Sequence, residues 1–252
     1  MAPQTSGSQP PSVDESVAAL RELLSLWSGE DGPVTIQVLD GSLLRGLSIR
    51  VQVEHMVALT RSVLLLVDNG MYIQSMPLVR MSMECAVTAA WMAVTPFSGA
   101  AAAHDGGTKR LRLLEDLAVI AGEPDSDNTN IQAEINELAR HANAEARIFR
   151  QRCESLAGAE WMYGYYRLLS EFSHAGSPLV DSYLEDSENN GLAFADLSKF
   201  PYTKFAMGLQ VVMLHISLAA WDEVAEDHPN AINLTEIGDR LGIQSILRRR
   251  QK

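Results

Sequence analysis

The sequence predicts an all-α protein, a helical bundle of about six to eight helices with peripheral helices at both ends. Three observations predict it. Apolar residues recur at spacings of three and four over most of the chain, the period of a helix buried along one side. These runs end on helix-stopping strings such as Asn69-Gly70 and Ala175-Gly176-Ser177-Pro178. Only Val34 to Leu39 reads as a strand, and a single strand has nothing to pair with.

The opening M-A-P-Q-T-S-G-S-Q-P-P-S offers almost nothing apolar to bury, so residues 1–12 read as a disordered tail. It has neither the basic nor the apolar region of a secretory signal. Val13 to Trp27 carries Val17, Leu20, Leu24 and Trp27 at helical spacing, with Asp14 and Glu15 early, where a helix dipole favours acids. Gly29 to Pro33 breaks it, and residues 13–42 form a peripheral helix and linker. Leu43 to Asp68 reads as a long helix closed by Asn69-Gly70, and Met71 to Val94 as another, kinked or started by Pro77.

A loop from Pro96 to Gly107 then leads into a helix over Thr108 to Ala121, stopped by Gly122 and Pro124. Asp127 to Leu156 reads as one long amphipathic helix, and Trp161 to His174 as a shorter one. An acidic, Asn/Ser/Gly-rich loop follows. Pro201 opens a last long helix to about Ala225. Residues 43–227 therefore form the bundle domain, and 228–252 a short helix (Leu234 to Gly242) with the basic tail Arg248-Arg249-Arg250.

The 252 residues carry 20 Lys and Arg against 32 Asp and Glu, a formal charge of -12. That balance argues against coating nucleic acid through a general basic surface. Two cysteines, Cys85 and Cys153, make no disulfide framework and no thiolate zinc site. They fit a reducing compartment and a cytoplasmic protein. Phe205 to Trp221 is the most apolar stretch, but it is 17 residues long and includes Gln210 and His215. It reads as a buried core helix rather than a membrane span, and His215 as a core histidine satisfied by a hydrogen bond.

The candidate site residues come from two helices. Met71 to Val94 is apolar or small nearly all round, and Arg80 and Glu84 are its only charges, four residues apart on the side of Trp91. They either pair with each other or with a neighbouring helix for structure alone, or line a polar pocket. On Trp161 to His174, one stripe is Tyr165, Leu168, Leu169 and Phe172. The opposite stripe is Tyr163, Arg167, Ser170, Glu171 and His174. Arg167 and His174, seven apart, stand two helical turns from each other on that stripe. A solvated face of an amphipathic helix gives the same pattern.

Arg167, six residues and His174 resemble the Arg–x(4–6)–His signature of HEPN domains, which are small helical bundles. The string Y-R-L-L-S-E-F-S-H, with Arg80 and Glu84 upstream, is also similar to a bacterial domain family of unknown function. The resemblance covers roughly residues 45 to 225. It implies a HEPN-like core and a metal-independent endoribonuclease, in a toxin or defence system, that works as a homodimer on RNA. It implies no cofactor. By that resemblance His174 is the general acid or base, a role that suits histidine because the free side chain titrates at about 6.5. Arg167 holds the scissile phosphate, and Tyr163 and Glu171 orient the two, with Arg80 and Glu84 in support. One departure stands out: such nucleases commonly place a polar residue after the Arg, and here it is Leu168.

The alternative is a non-catalytic all-α interaction or scaffold module, with an antitoxin or another protein as partner, whose Arg, Glu and His residues are structural. Thr235, Ile237, Leu241, Gly242 and Ile243 resemble the first half of a helix-turn-helix, but the chain leaves no room for the whole motif. His141, on an amphipathic helix, has no partner at metal-ligand spacing.

Overall fold

The computed structural model describes residues 11–27, 42–121, 128–187 and 191–251. The first half of the chain forms α1 (Val13–Ser25), α2 (Leu43–Asp68), α3 (Tyr72–Val94), α4 (Ser98–Ala121) and α5 (Thr129–Leu138). There follow α6 (Ala144–Arg147), α7 (Phe149–Ser155), α8 (Met162–Glu171) and α9 (Ser177–Asp181). A hairpin of β1 (Leu184–Ser187) and β2 (Gly191–Phe194) precedes α10 (Thr203–Val224) and α11 (Ala231–Leu241). The all-α expectation holds: among the described residues the hairpin is the whole of the sheet structure. Of the tail expected over residues 1–12 only Pro11 and Ser12 are described. The strand expected at Val34 to Leu39 and the stops at Gly29 to Pro33, Gly122 and Pro124 lie outside the described residues.

Local chemistry sets the helix ends. Ser12 and Glu15 form a reciprocal capping box, the Ser12 hydroxyl accepting from the Glu15 N–H while the Glu15 carboxylate accepts from the Ser12 N–H. At the end of α2, Gly70 sits at φ +70°, the left-handed conformation that glycine adopts without penalty. The Gly70 and Met71 N–H groups then donate back to the Val67 and Leu66 carbonyls, a Schellman closure. α3 runs on through Pro77, at the cost of the donor that the Ile73 carbonyl would otherwise have.

The core is a three-helix stack with α3 in the middle, packed chiefly on α2 and α10. Cys85 to Ala93 is buried at every position. A helix that is apolar or small on all sides can be enclosed on all sides, which is why this one is central. α10 is similarly enclosed. By length and composition it could cross a membrane, yet 78% of its most apolar window is buried inside the bundle. Its one buried amide, Gln210, donates to the Thr60 hydroxyl of α2 at 2.8 Å. α1 and α11 flank α10, and at the α1 end Arg50 lies over the Trp27 ring, 4.0 Å from its centroid.

Three segments differ from the sequence expectation, each for a visible reason. The expected loop at Pro96 to Gly107 is helical from Ser98 onward. Its alanines favour helix, and Gly99 lets α4 approach α2: a Cβ there would lie 2.8 Å from the Arg45 backbone nitrogen. The expected single helix over Asp127 to Leu156 is instead α5, a 3-10 turn, α6 and α7. Asn143, extended, caps α6 by accepting from the Glu145 N–H, and Glu145 is drawn toward α3, where it accepts from the Trp91 indole N–H at 2.7 Å. Tertiary contacts thus override a continuous helical period.

The acidic loop before α10 folds into α9 and the β1–β2 hairpin. As expected from the sequence, a tail rather than a second helix follows α11 among the described residues: Gly242 closes α11 in the left-handed conformation and residues 243–251 run as a strap along the bundle. The strap is pinned by Arg249, which meets Glu145 with two hydrogen bonds of 2.9 and 3.0 Å and donates to the Thr95 hydroxyl. The Arg-rich end is therefore a structural tie.

Candidate functional site

The site residues named from sequence fall on α3 and on α8 with the turn after it. α8 buries Met162 and Leu169 toward the core and ends at Glu171, three residues before His174. The Gly176-Ser177-Pro178 string expected from sequence to stop the helix opens α9 instead, with Gly176 at its N-cap and Pro178 in its first turn. The Ser170 and Ser173 hydroxyls donate back one turn to the Tyr166 and Leu169 carbonyls, and the Phe172 N–H also donates to Leu169. His174 therefore sits in a bend beyond the helix, and the two-turn register expected for Arg167 and His174 is interrupted.

Arg167, Glu171 and His174 are all exposed. Among the described residues no side-chain hydrogen bond or ion pair holds Arg167 or His174. Glu171 borders a cavity of about 570 Å³ between α8 and the hairpin, together with Asp181, Glu185 and the Phe172 and Phe200 rings.

Arg80 and Glu84 do form an ion pair, at 3.2 Å, and the structure adds a partner that the sequence reading missed. Arg80 donates to the Tyr166 hydroxyl at 2.5 Å, and its guanidinium lies 4.6 Å from the Tyr166 ring centroid. Tyr166 in turn packs on Phe149 of α7 (4.4 Å) and on Tyr163 (6.2 Å). Tyr163 carries Arg150 over its ring at 5.6 Å. The expected stripe is thus divided: Tyr163 belongs to an aromatic cluster that ties α8 to α7 and α3, whereas Arg167, Glu171 and His174 face outward. Burial, followed by the nearby Glu84 carboxylate, raises the Tyr166 pKa above its ordinary value, against the opposing pull of Arg80.

Arg152 of α7 is the second residue the sequence reading missed. It donates to the Ala146 carbonyl at 2.9 Å. Burial lowers its pKa, and the neighbouring Cys153, Glu84, Asp105 and Tyr166 pull the other way. The Nε atoms of Arg80 and Arg152 are both buried without a hydrogen-bond partner. Two guanidiniums, one carboxylate and one phenol are therefore gathered where α3, α7 and α8 meet. The available sequence signal was Tyr166 itself, three residues after Tyr163 and three before Leu169, the spacing of an inward-facing residue.

Other chemistry-bearing groups serve the core. Both cysteine thiols are pushed up to about 12, chiefly by burial, and stay protonated at neutral pH. His215 meets the Leu234 carbonyl at 2.8 Å, as a core histidine should. Gly238 makes room for it, since a Cβ there would lie 3.0 Å from the His215 Nε2. Among the described residues no group of three or more His, Cys, Asp and Glu is placed to hold a metal ion.

A model of a protein family of unknown function, DUF5677, matches residues 51–192. The chain belongs to DUF5677. No curated protein and no solved structure matches it. The DUF5677 stretch contains every residue of the Arg80–Glu84–Tyr166–Arg152 cluster as well as Arg167, Glu171 and His174. It stops short of α10, so in this DUF5677 member the helix that completes the core is supplied from outside the matched stretch.

Proposed function

We propose that this protein is a HEPN-like helical protein that cleaves RNA without a metal, acting as a homodimer in the cytoplasm. The observation that carries the reading is the disposition of α8. Arg167 and His174 are exposed, and among the described residues no side chain pairs with either. The neighbouring Tyr163 and Tyr166 fix the helix to the bundle. A general acid–base histidine needs access to substrate, and a phosphate-binding arginine needs its donors free.

In this reading His174 takes the proton of a ribose 2′-hydroxyl. The freed oxygen attacks the adjacent phosphorus, the bond from phosphorus to the 5′ oxygen breaks, and the leaving oxygen is protonated by His174 of the partner subunit. Arg167 stabilises the negative charge that grows on the phosphoryl oxygens. Arg80 and Glu84 hold α8 in place through Tyr166, which makes them positioning residues. The products are a 2′,3′-cyclic phosphate and a 5′-hydroxyl.

The test is incubation of the purified protein with a broad RNA panel in the presence of a chelator. Cleavage with cyclic-phosphate ends is expected, and His174→Ala should abolish it. Wild type and His174→Ala behaving alike ends the catalytic reading. The second reading, a non-catalytic scaffold, is favoured by the Arg80–Glu84–Tyr166 contacts, which serve a structural end without any ligand. It predicts that Arg167→Ala lowers the melting temperature, although no partner for that guanidinium is found among the described residues.

A further inference from the structure

We propose that the cavity between α4 and the connection from α5 to α6 is a phosphate-binding site. It has a volume of about 270 Å³ and lies outside the α8 face. From α4 it is lined by His104, Thr108 and Arg112, one on each of three successive turns, and by Lys109. Asn143 and Arg147 face it from the other wall.

The charge bookkeeping at this cavity runs against that of the chain. The whole sequence carries -12, whereas the lining holds Lys109, Arg112 and Arg147 against the single carboxylate of Asp105. Asp105 is already used: it meets Lys109 at 2.6 Å. Arg112 and Arg147 are exposed and have no side-chain partner among the described residues. Two unpaired guanidiniums facing one small cavity from two elements can hold an anion between them, and a fork of N–H donors suits the oxygens of a phosphate. Asn143 uses its side-chain oxygen as an acceptor from the Glu145 N–H, which turns its amide NH2 into the group left to donate. The cavities beside Glu171 and beside His215 are lined instead by an excess of carboxylates.

The inference does not rest on RNA cleavage, and its test keeps the two apart. Inorganic phosphate is titrated calorimetrically, and a labelled 2′-O-methyl oligoribonucleotide, which cannot be cleaved through its 2′ oxygen, is followed by fluorescence anisotropy. Arg112→Ala together with Arg147→Ala should weaken binding by at least about tenfold and flatten the salt dependence by about one phosphate contact. Arg110→Ala, an exposed cation on the same helix but not in the cavity lining, should leave both unchanged. Affinity that rises with oligonucleotide length identifies a phosphodiester ligand, and equal affinity for inorganic phosphate identifies a free phosphate. Either supports the site. Failure of wild type to bind both probes, or an equal loss in Arg110→Ala, overturns it.

Discussion

Removing the Arg80 side chain separates what the fold needs from what a site would need. Arg80→Ala deletes a charged hydrogen bond to Tyr166 at 2.5 Å, worth about 1.5 to 3 kcal/mol. It also deletes an i,i+4 ion pair with a half-exposed Glu84, worth about 0.3 to 0.5 kcal/mol. A cation–π contact adds about 0.5 to 1 kcal/mol. Against these stands the relief of a buried Nε that has no partner, about 1 to 2 kcal/mol. The net is a loss of about 2 kcal/mol, or a fall in melting temperature of about 4 to 8 °C for a chain of this size. Tyr166→Phe keeps the ring packing and should cost about 1 kcal/mol. Urea denaturation followed by circular dichroism measures each variant and the double variant. Coupling of about 1 kcal/mol is expected between the two positions. A loss below about 0.5 kcal/mol for Arg80→Ala, or strict additivity in the cycle, refutes the claim that this pair fastens α8 to α3.

Arg249→Ala should destabilise by about 2 kcal/mol, less than the cost of about 3 to 5 kcal/mol for breaking a fully buried pair, because Arg249 is a third exposed. Arg250→Ala, whose partner Glu160 is 3.5 Å away and also exposed, should change stability by less than about 0.5 kcal/mol. Equal effects of the two in thermal denaturation would contradict the strap's attachment through Arg249. Burial lowers the pKa of His215, a residue held neutral against the Leu234 carbonyl. The unfolded chain then binds the extra proton first, so this contribution is full above about pH 6.5 and is lost as pH falls through the lowered folded value. His215→Gln, which keeps a donor but does not titrate, should show a smaller drop in urea midpoint between neutral pH and pH below 6 than wild type. An unchanged drop would remove His215 from the acid response.

The long helices were legible because their information is local. α2 begins and ends where the apolar period and Asn69-Gly70 place it, and α10 starts two residues later and ends one earlier than the span expected from Pro201 to about Ala225. Between residues 96 and 160 the decisive terms are non-local. Gly99 is helical because α2 lies against it, and the break at Asn143 exists because Glu145 finds Trp91 and Arg249, 54 residues before and 104 after it. No window of sequence contains those partners. The site shows the same division. Arg80 and Glu84 were legible as the lone charges on an apolar helix, but Tyr166 was hidden beside the more conspicuous Arg167. The spacing of Arg167 and His174 did not show that α8 ends at Glu171, which leaves His174 beyond the helix.

The acidity of the chain gains a different meaning once its arginines are placed. Arg80, Arg152 and Arg249 are taken up by the fold: each donates to a phenol, a carbonyl or a carboxylate inside the bundle. A cation already held in this way offers little to a phosphate, because binding must first break the existing contact and strand its partner. Arg112, Arg147 and Arg167 are exposed and carry no such cost. Sequence places Arg167 in the phosphate-holding role and Arg80 only in support of it. The structure sharpens the difference: Arg80 sets the position of α8, whereas Arg167, like Arg112 and Arg147, has donors to spare. On the proposed RNA-cleaving reading, the polyanion would be held by such unpaired arginines, while the net charge of -12 opposes general binding elsewhere.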